Sequence, residues 1–129
     1  MNHNESNMLA LDMAYHWEQE TPNSTYLTQP LGGEKVREYT WKEALYEARC
    51  MATYLESLSL PAGSHIALLS KNCANWVMAD LAIWMAGHVS VPLYPTLNAH
   101  TVSYILEHSD AQLLFLGKLD DWDTMKDGV

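Results

Sequence analysis

Basic residues are scarce in this chain: 7 Lys and Arg stand against 16 Asp and Glu in 129 residues, a formal net charge of −9. No run of Lys or Arg occurs, so a phosphate backbone or an anionic membrane surface repels it, and nucleic acid is not an expected partner. Long apolar runs are missing too. The longest, Trp76 to Ala86, is interrupted by Asp80 and falls far short of the ~20 residues of a membrane span. Met1 to Asn7 is polar and lacks the basic segment and apolar run of a secretory signal. Cysteine is limited to Cys50 and Cys73, which show no metal-ligand spacing. Two buried free thiols in a reducing, cytoplasmic protein are the simplest expectation.

Several catalytic signatures are absent as well. A dinucleotide fold needs G-x-G-x-x-G after its first strand, and the chain has Ser70-Lys71-Asn72-Cys73-Ala74-Asn75 there instead. Neither a G-x-S-x-G elbow nor a G-x-x-x-x-G-K-[ST] loop occurs. His3, His16, His65, His88, His100 and His108 form no H-x-x-x-H pair. They read as surface or strand-edge residues and not as metal ligands.

What is present describes an ordinary globular domain: 48% hydrophobic and 18% charged residues, in a chain long enough to bury about two-thirds of its unfolded surface. Residues 1–24 form a lead-in with a weakly amphipathic helix from Met8 to Glu18, broken by Thr21-Pro22-Asn23-Ser24. Residues 25–40 predict a β-hairpin, with β-prone segments Thr25–Thr28 and Val36–Thr40 around Gly32-Gly33, because glycine accepts the positive φ such turns need. Thr40-Trp41-Lys42-Glu43 is a capping box. The helix after it carries Ala44, Ala48, Met51, Leu55 and Leu58 on one stripe, leaving Glu43, Glu47, Arg49 and Glu56 wet.

From residue 65 the pattern becomes strand, helix, strand, helix, strand. His65 to Ser70 is a short apolar run suited to a strand covered on both faces. Gly87 stops the apolar helix that follows. Val89 to Leu93 is the next strand, with Pro92 at its carboxyl end or at a bulge because it has no N–H to give. Thr96 or Asn98 caps a third helix through His108, with Val102, Ile105 and Leu106 inward. Ala111 to Leu116 is the last strand, and residues 117–129, with Asp120, Asp121, Asp123 and Asp127, read as an acidic loop or linker. The fold class is therefore α/β: a parallel βαβαβ sheet over 65–116 flanked by helices, preceded by the hairpin, the whole subdomain spanning 25–116. Such sheets bind ligands beyond the carboxyl ends of their strands. Here those ends are Ser70-Lys71-Asn72, Leu93 to Thr96 and Gly117-Lys118.

Individual candidates have weak chemical credentials. Asp80, the only charge in the apolar helix, is expected at a rim or bonded to a nearby donor, since no nucleophile or base accompanies it in sequence. Trp76 and Trp84 fall at packing positions, and Trp41 completes what would otherwise resemble an aromatic box. Lys71 reads as a solvated loop lysine without a glycine-rich loop to hold an anion. Tyr94 and Thr96 lie where they could line the edge of a cleft.

Tyr39-Thr40-Trp41-Lys42-Glu43-Ala44-Leu45 and Asn75 to Thr96, above all Val91-Pro92-Leu93-Tyr94-Pro95-Thr96, resemble the amino-terminal part of adenylate-forming enzymes. The resemblance runs from about Tyr26 to Trp122 and is greatest to the long-chain fatty-acid–CoA ligases. It implies that this α/β subdomain is part of the large amino-terminal domain of that fold. It also implies an enzyme that joins a fatty acid to AMP with Mg²⁺ and ATP, then transfers the acyl group to CoA. The phosphate-gripping Ser/Thr/Gly-rich loop, the ribose-binding acid and the catalytic lysine of the family have no matching position here. No catalytic, cofactor-binding or metal residue is therefore expected in the chain, which stops at Val129 ahead of that loop. The expectation is an opening segment, inactive alone, of a cytoplasmic enzyme that touches the membrane peripherally at most. The alternatives are an aryl, amino-acid or acyl-carrier-protein ligase on the same scaffold, or a non-catalytic α/β interaction module. Because the 76–86 helix is apolar nearly all round, self-association as a twofold dimer through Trp76 or Trp84 is a further expectation.

Overall fold

The computed structural model of the chain describes residues 3–117, 119–120 and 122–129, the side chains of residues 3–9 excepted. The apolar positions expected at Met8 and Leu9, the His3 ring, the strand-end residue Lys118 and Asp121 lie outside the described residues.

In chain order the elements are α1 (His3–Glu20), β1 (Thr25–Gly32), β2 (Lys35–Thr40), α2 (Trp41–Ser57), β3 (His65–Leu69), α3 (Ala74–Met85), β4 (Val89–Leu93), α4 (Ala99–His108), β5 (Leu113–Leu116) and α5 (Trp122–Met125), followed by a 3₁₀ turn at Lys126–Gly128. β1 and β2 form the expected antiparallel hairpin, and Gly32 and Gly33 take φ of +104° and +60° at its turn. β1 runs on past Thr28 through Gln29-Pro30-Leu31, with an irregular register between Pro30 and Gly32 where proline has no N–H to pair.

The capping box forms as the sequence requires: the Glu43 N–H donates to Thr40 Oγ1 and the Thr40 N–H to Glu43 Oε1, both at 3.1 Å. These bonds hold the Glu43 carboxyl below its ordinary range, the Thr40 backbone N–H contributing most. The buried face of α2 is Ala44, Leu45, Ala48, Ala52 and Leu55, with Met51 packed beside it. Leu58, expected on that stripe, is the C-cap residue and is exposed, because the helix ends before carrying it over the core. Arg49 forms a two-pronged pair with Glu18 of α1, one bond measuring 2.7 Å. Cys50 is exposed and Cys73 half-buried, so the expectation of two buried thiols is corrected: Cys50 falls on the outer face of α2.

β4, β3 and β5 make a parallel sheet with β3 at its centre. The chain leaves β3 for one neighbour and then crosses back to the other, which places its helices on opposite faces. Alternate β3 side chains record this. Ile66 and Leu68 pack with Leu55, Ala79 and Ile83 of α2 and α3, while Ala67 and Leu69 pack with Leu93, Val102 and Met125 on the α4 side. Pro92 pairs opposite Leu68 at the penultimate position of edge strand β4. Asn98, not Thr96, caps α4, its Oδ1 accepting the Thr101 N–H at 2.9 Å.

α3 ends in a Schellman turn. The Gly87 N–H reaches the Trp84 carbonyl and the His88 N–H the Ile83 carbonyl, with Gly87 at φ +78°. Its apolar circumference finds cover within the chain, from α1, α2, β1, β3 and β4. Trp76 and Trp84 are half-buried. The premise of a bare apolar helix is thus corrected. His88, expected near the surface, is buried as well. Its Nδ1 and the Trp84 Nε1 have no hydrogen-bond partner among the described residues.

Residues 117–129, expected as a loop, hold α5 and the 3₁₀ turn. Met125 is buried in the α4-side core, and Gly128 lies so close to the Ala99 backbone that an added Cβ would sit 2.0 Å from its carbonyl oxygen. No helix among the described residues is long and apolar enough to cross a membrane.

Candidate functional site

The carboxyl end of β3 lies between two clefts. Ser70 follows the last β3 residue, and Trp76, in the first turn of α3, borders both clefts with it. The larger cleft, about 440 Å³, lies between the hairpin, α2, α3 and β5, and its apolar wall is Leu31, Met51, Leu68, Trp76, Phe115 and Leu116. The smaller, about 280 Å³, is framed by Asn72, Trp76, Pro92, Tyr94 and Pro95 on the β4 side. Both occupy the position expected of a ligand site in a parallel sheet.

Local chemistry fixes this rim. The Ser70 hydroxyl donates to the Lys71 carbonyl at 2.9 Å and lies 3.9 Å from Cys73 Sγ. Gly117 closes against it, since a Cβ there would sit 2.4 Å from Ser70 Oγ, and its N–H donates to the Leu69 carbonyl. Cys73 is the N-cap residue of α3 but makes no side-chain cap. Gln29 of the hairpin takes that role: its Oε1 accepts the Ala74 N–H at 2.8 Å, while its own amide donates to the Pro30 carbonyl at 3.0 Å. The hairpin is thereby pinned over the larger cleft.

Of the residues singled out in the sequence, Trp76 and Tyr94 reach the clefts, Tyr94 being 76% exposed at the rim. Thr96 is not among the lining residues. Lys71 pairs with Asp120 at 2.7 Å across the strand ends, both side chains well exposed, a contact worth about 0–1 kcal/mol. Asp80 sits away from both clefts, half-buried, with Ser90 Oγ donating to its Oδ1. Burial pushes its carboxyl above the ordinary range and the Ser90 bond pulls part of the way back. Trp41 stacks on Tyr26, ring centres 3.8 Å apart and planes 2° from parallel, as a packing pair at the hairpin base. His65 Nδ1 donates to the Ser109 carbonyl. Among the described residues no group of three His, Cys, Asp or Glu converges to hold a metal. Gln29, Leu31 and Phe115 belong to the site without any local sequence signal, since only the docking of hairpin and sheet brings them together.

A wider hollow of about 640 Å³ lies between α1, β2 and α2, away from the strand ends. Of the six charged residues lining it, four are engaged locally: Arg49 holds Glu18, Glu43 closes the capping box, and the Arg37 guanidinium lies 4.4 Å over the Tyr39 ring, while Lys42 and Glu47 also line it. It reads as a packing junction.

Residues 14–128 match the family described as AMP-binding enzyme. A long-chain-fatty-acid–CoA ligase of Mycobacterium tuberculosis is 31% identical over 103 residues, covering 80% of this chain and 17% of the relative. Long chain acyl-CoA synthetase 1 of Arabidopsis thaliana is 33% identical over 86 residues, 64% of this chain and 13% of that protein. Among solved structures, an anthranilate CoA ligase in complex with anthranoyl-AMP superposes with a TM-score of 0.76 at 26% identity, covering 83% of this chain and 20% of the other. The chain thus spans less than a fifth of the length of the curated relatives it matches.

Proposed function

The chain belongs to the AMP-binding enzyme family, and from that premise we propose that it is the amino-terminal segment of an ATP-dependent long-chain fatty-acid–CoA ligase. The observation that carries the finer assignment is the 31–33% identity to relatives named for long-chain acids. In the reaction proposed for the longer protein, a fatty-acid carboxylate attacks ATP to give acyl-AMP and pyrophosphate. The CoA thiol then takes the acyl group and AMP leaves. Cytoplasmic placement, with peripheral membrane contact at most, belongs to the same proposal.

Among the described residues no carboxylate and no cation lines either cleft, so these residues offer neither cleft a ligand for Mg²⁺ or a grip on a triphosphate. No step of adenylation is therefore assigned to a residue of this chain, whose part is to build the sheet and its carboxyl rim. Self-association stands as a proposal with a narrower basis. Trp76 and Trp84 are half-buried, so a twofold contact has only their remaining surface to use. Light scattering after size exclusion decides between 14.6 kDa and its double.

The test is acyl-AMP and acyl-CoA formation by the full-length product with fatty acids of graded length. Turnover greatest with long chains is expected. Preference for an aryl or short acid would move the assignment to another ligase on this scaffold, which the 26% identity to the anthranilate enzyme favours as the second reading. Complete inactivity with every acid would leave a non-catalytic module. Calorimetric titration of the isolated chain with MgATP should show no micromolar binding.

A further inference from the structure

We propose that the outer face of α2 is a contact between two copies of this chain, packed antiparallel about a twofold axis through Cys50. The proposal deepens the self-association above, on which it rests, and moves the contact from α3 to α2. Tyr46, Cys50 and Tyr54 follow one another at intervals of four residues along this helix, so they form one stripe. All three stand open to solvent: Tyr46 is 64% exposed, Tyr54 is 55% exposed, and Cys50 is exposed between them. Within the stripe, Cys50 hydrogen-bonds the Tyr46 side chain.

The stripe reads the same in either direction from Cys50, and a twofold contact requires such a self-complementary surface. Reversing one copy of α2 about Cys50 sets Tyr46 beside the partner's Tyr54, and Tyr54 beside the partner's Tyr46. Lys42 lies about 12 Å along the axis on one side of Cys50 and Glu56 about 9 Å on the other. The reversal therefore also brings each Lys42 nearly level with the partner's Glu56. Both are exposed, and neither has an ion-pair partner among the described residues. Helix axes pack ~8–10 Å apart, and two Cα radii of ~2.3 Å leave about 3.5–5.5 Å between the Cα atoms of residues on the dyad. Only a small side chain fits there, and Cys50 is the small residue between the two bulky ones. At their exposures the four tyrosines contribute on the order of 500 Å², about half of the ~1,000 Å² that a specific interface clears. Glu43, Thr53, Ser57 and Leu58, exposed on the same side of α2, add to it. A micromolar dimer is expected from such an area.

The experiment is sedimentation velocity of the chain across the micromolar range, paired with oxidation by diamide. Because each copy carries a net charge of −9, it is run at ~0.15 M salt, where exposed charges beyond ~8 Å are screened. A monomer–dimer equilibrium is expected, together with a covalent dimer under diamide. In that step two Cys50 thiols give two protons and two electrons to the azo bond of diamide and join as one disulfide, whose Cα span of ~4.4–6.8 Å overlaps the separation on the dyad. Tyr54→Glu, at a solvent-facing position of α2, should weaken dimerisation about ten-fold or more and slow cross-linking as much. Tyr104→Ser, exposed on α4, should change neither. Cys50→Ser keeps a small side chain on the dyad and should still dimerise, without a covalent product. A monomer at every concentration would overturn this contact and self-association together. A dimer indifferent to Tyr54→Glu, one whose Cys50 thiols do not join, or equal cross-linking of Cys50→Ser through Cys73 would overturn this contact alone. Self-association would then stand with its contact elsewhere, at Trp76 or Trp84. None of these outcomes touches the acyl-AMP assay of the full-length product.

Discussion

At the start of α2 the unpaired N–H groups are met by residues three positions apart, Thr40 and Glu43, whereas at the start of α3 the Ala74 N–H is met by Gln29, 45 positions earlier in the chain. Both devices satisfy the same physical demand, since the first turn of any helix leaves donors without an intrahelical partner. They differ in what they tie together. The α2 cap is self-contained and exposed. The α3 cap fastens the hairpin to the sheet's carboxyl rim, so that it couples the first turn of α3 to the wall of the larger cleft.

The largest change should come from removing what the two helices share. Leu55 is fully buried where α2 meets Ile66, Leu68, Ala79 and Ile83. Leu55→Ala should cost about 2–5 kcal/mol in chemical denaturation. A loss no greater than that of a surface change would mean that the α2–α3 contact is not the common core.

Next comes Gln29→Ala. The Ala74 N–H it abandons belongs to a buried residue, and leaving such a group unpaired costs about 1–3 kcal/mol. Amide exchange should quicken together at Ala74 and at Thr28 and Leu31 of the hairpin. Exchange confined to α3 would show that the hairpin is held by other contacts. Thr40→Ala should cost about 1 kcal/mol and quicken exchange in the first turn of α2 alone. Because the two caps share no partner, the double variant should be additive within a few tenths of a kcal/mol.

The smallest effects separate two carboxylates. Asp80 is raised in the folded state, so the folded chain holds the proton more tightly than the unfolded one. Its contribution therefore falls as pH rises from the unfolded carboxyl range through the folded value. Asp80→Asn should remove that decline and make the stability profile flatter across that window. Glu43 is lowered, so its contribution is present above the unfolded range and is lost as pH falls through the folded value. Glu43→Gln should erase the acid-side loss, by an amount limited by the full exposure of the group. Urea midpoints measured across the carboxyl range test both signs.

The same contrast explains what the sequence could disclose. The capping box, the glycine stop at Gly87, the covered strand at His65–Leu69 and the asparagine cap of α4 are local. Each depends on residues within a few positions, and each appears in the structure. The proline-containing exit at Leu93 to Pro95 pointed to the right end of the sheet, and Tyr94 does line a cleft there. Gln29 was not legible, because nothing near it in sequence marks it as the partner of a helix 45 positions away. The helical turns at 122–128 were hidden for a related reason. Their stability comes from Met125 beneath α4 and Gly128 against Ala99, whereas Asp123 and Asp127 suggest only a solvated loop. The cover of α3 was likewise missed, since a count of apolar residues does not show which other elements will enclose them.

The central position of β3 also governs the order in which the chain can fold. It is the first parallel strand to be synthesised, yet it has a partner on one side only once β4 has formed, and on the other only once Leu113–Leu116 has crossed over. Until then Ile66 and Leu68 lack Leu113 and Phe115 from their side of the core. Closing such long loops comes before any reward from the contacts they make, and that sets the speed of folding. The hairpin and α2 can form early, each from neighbouring residues. The sheet is expected to form late and in one step, and a chain ending short of Leu113 should keep the first without gaining the second.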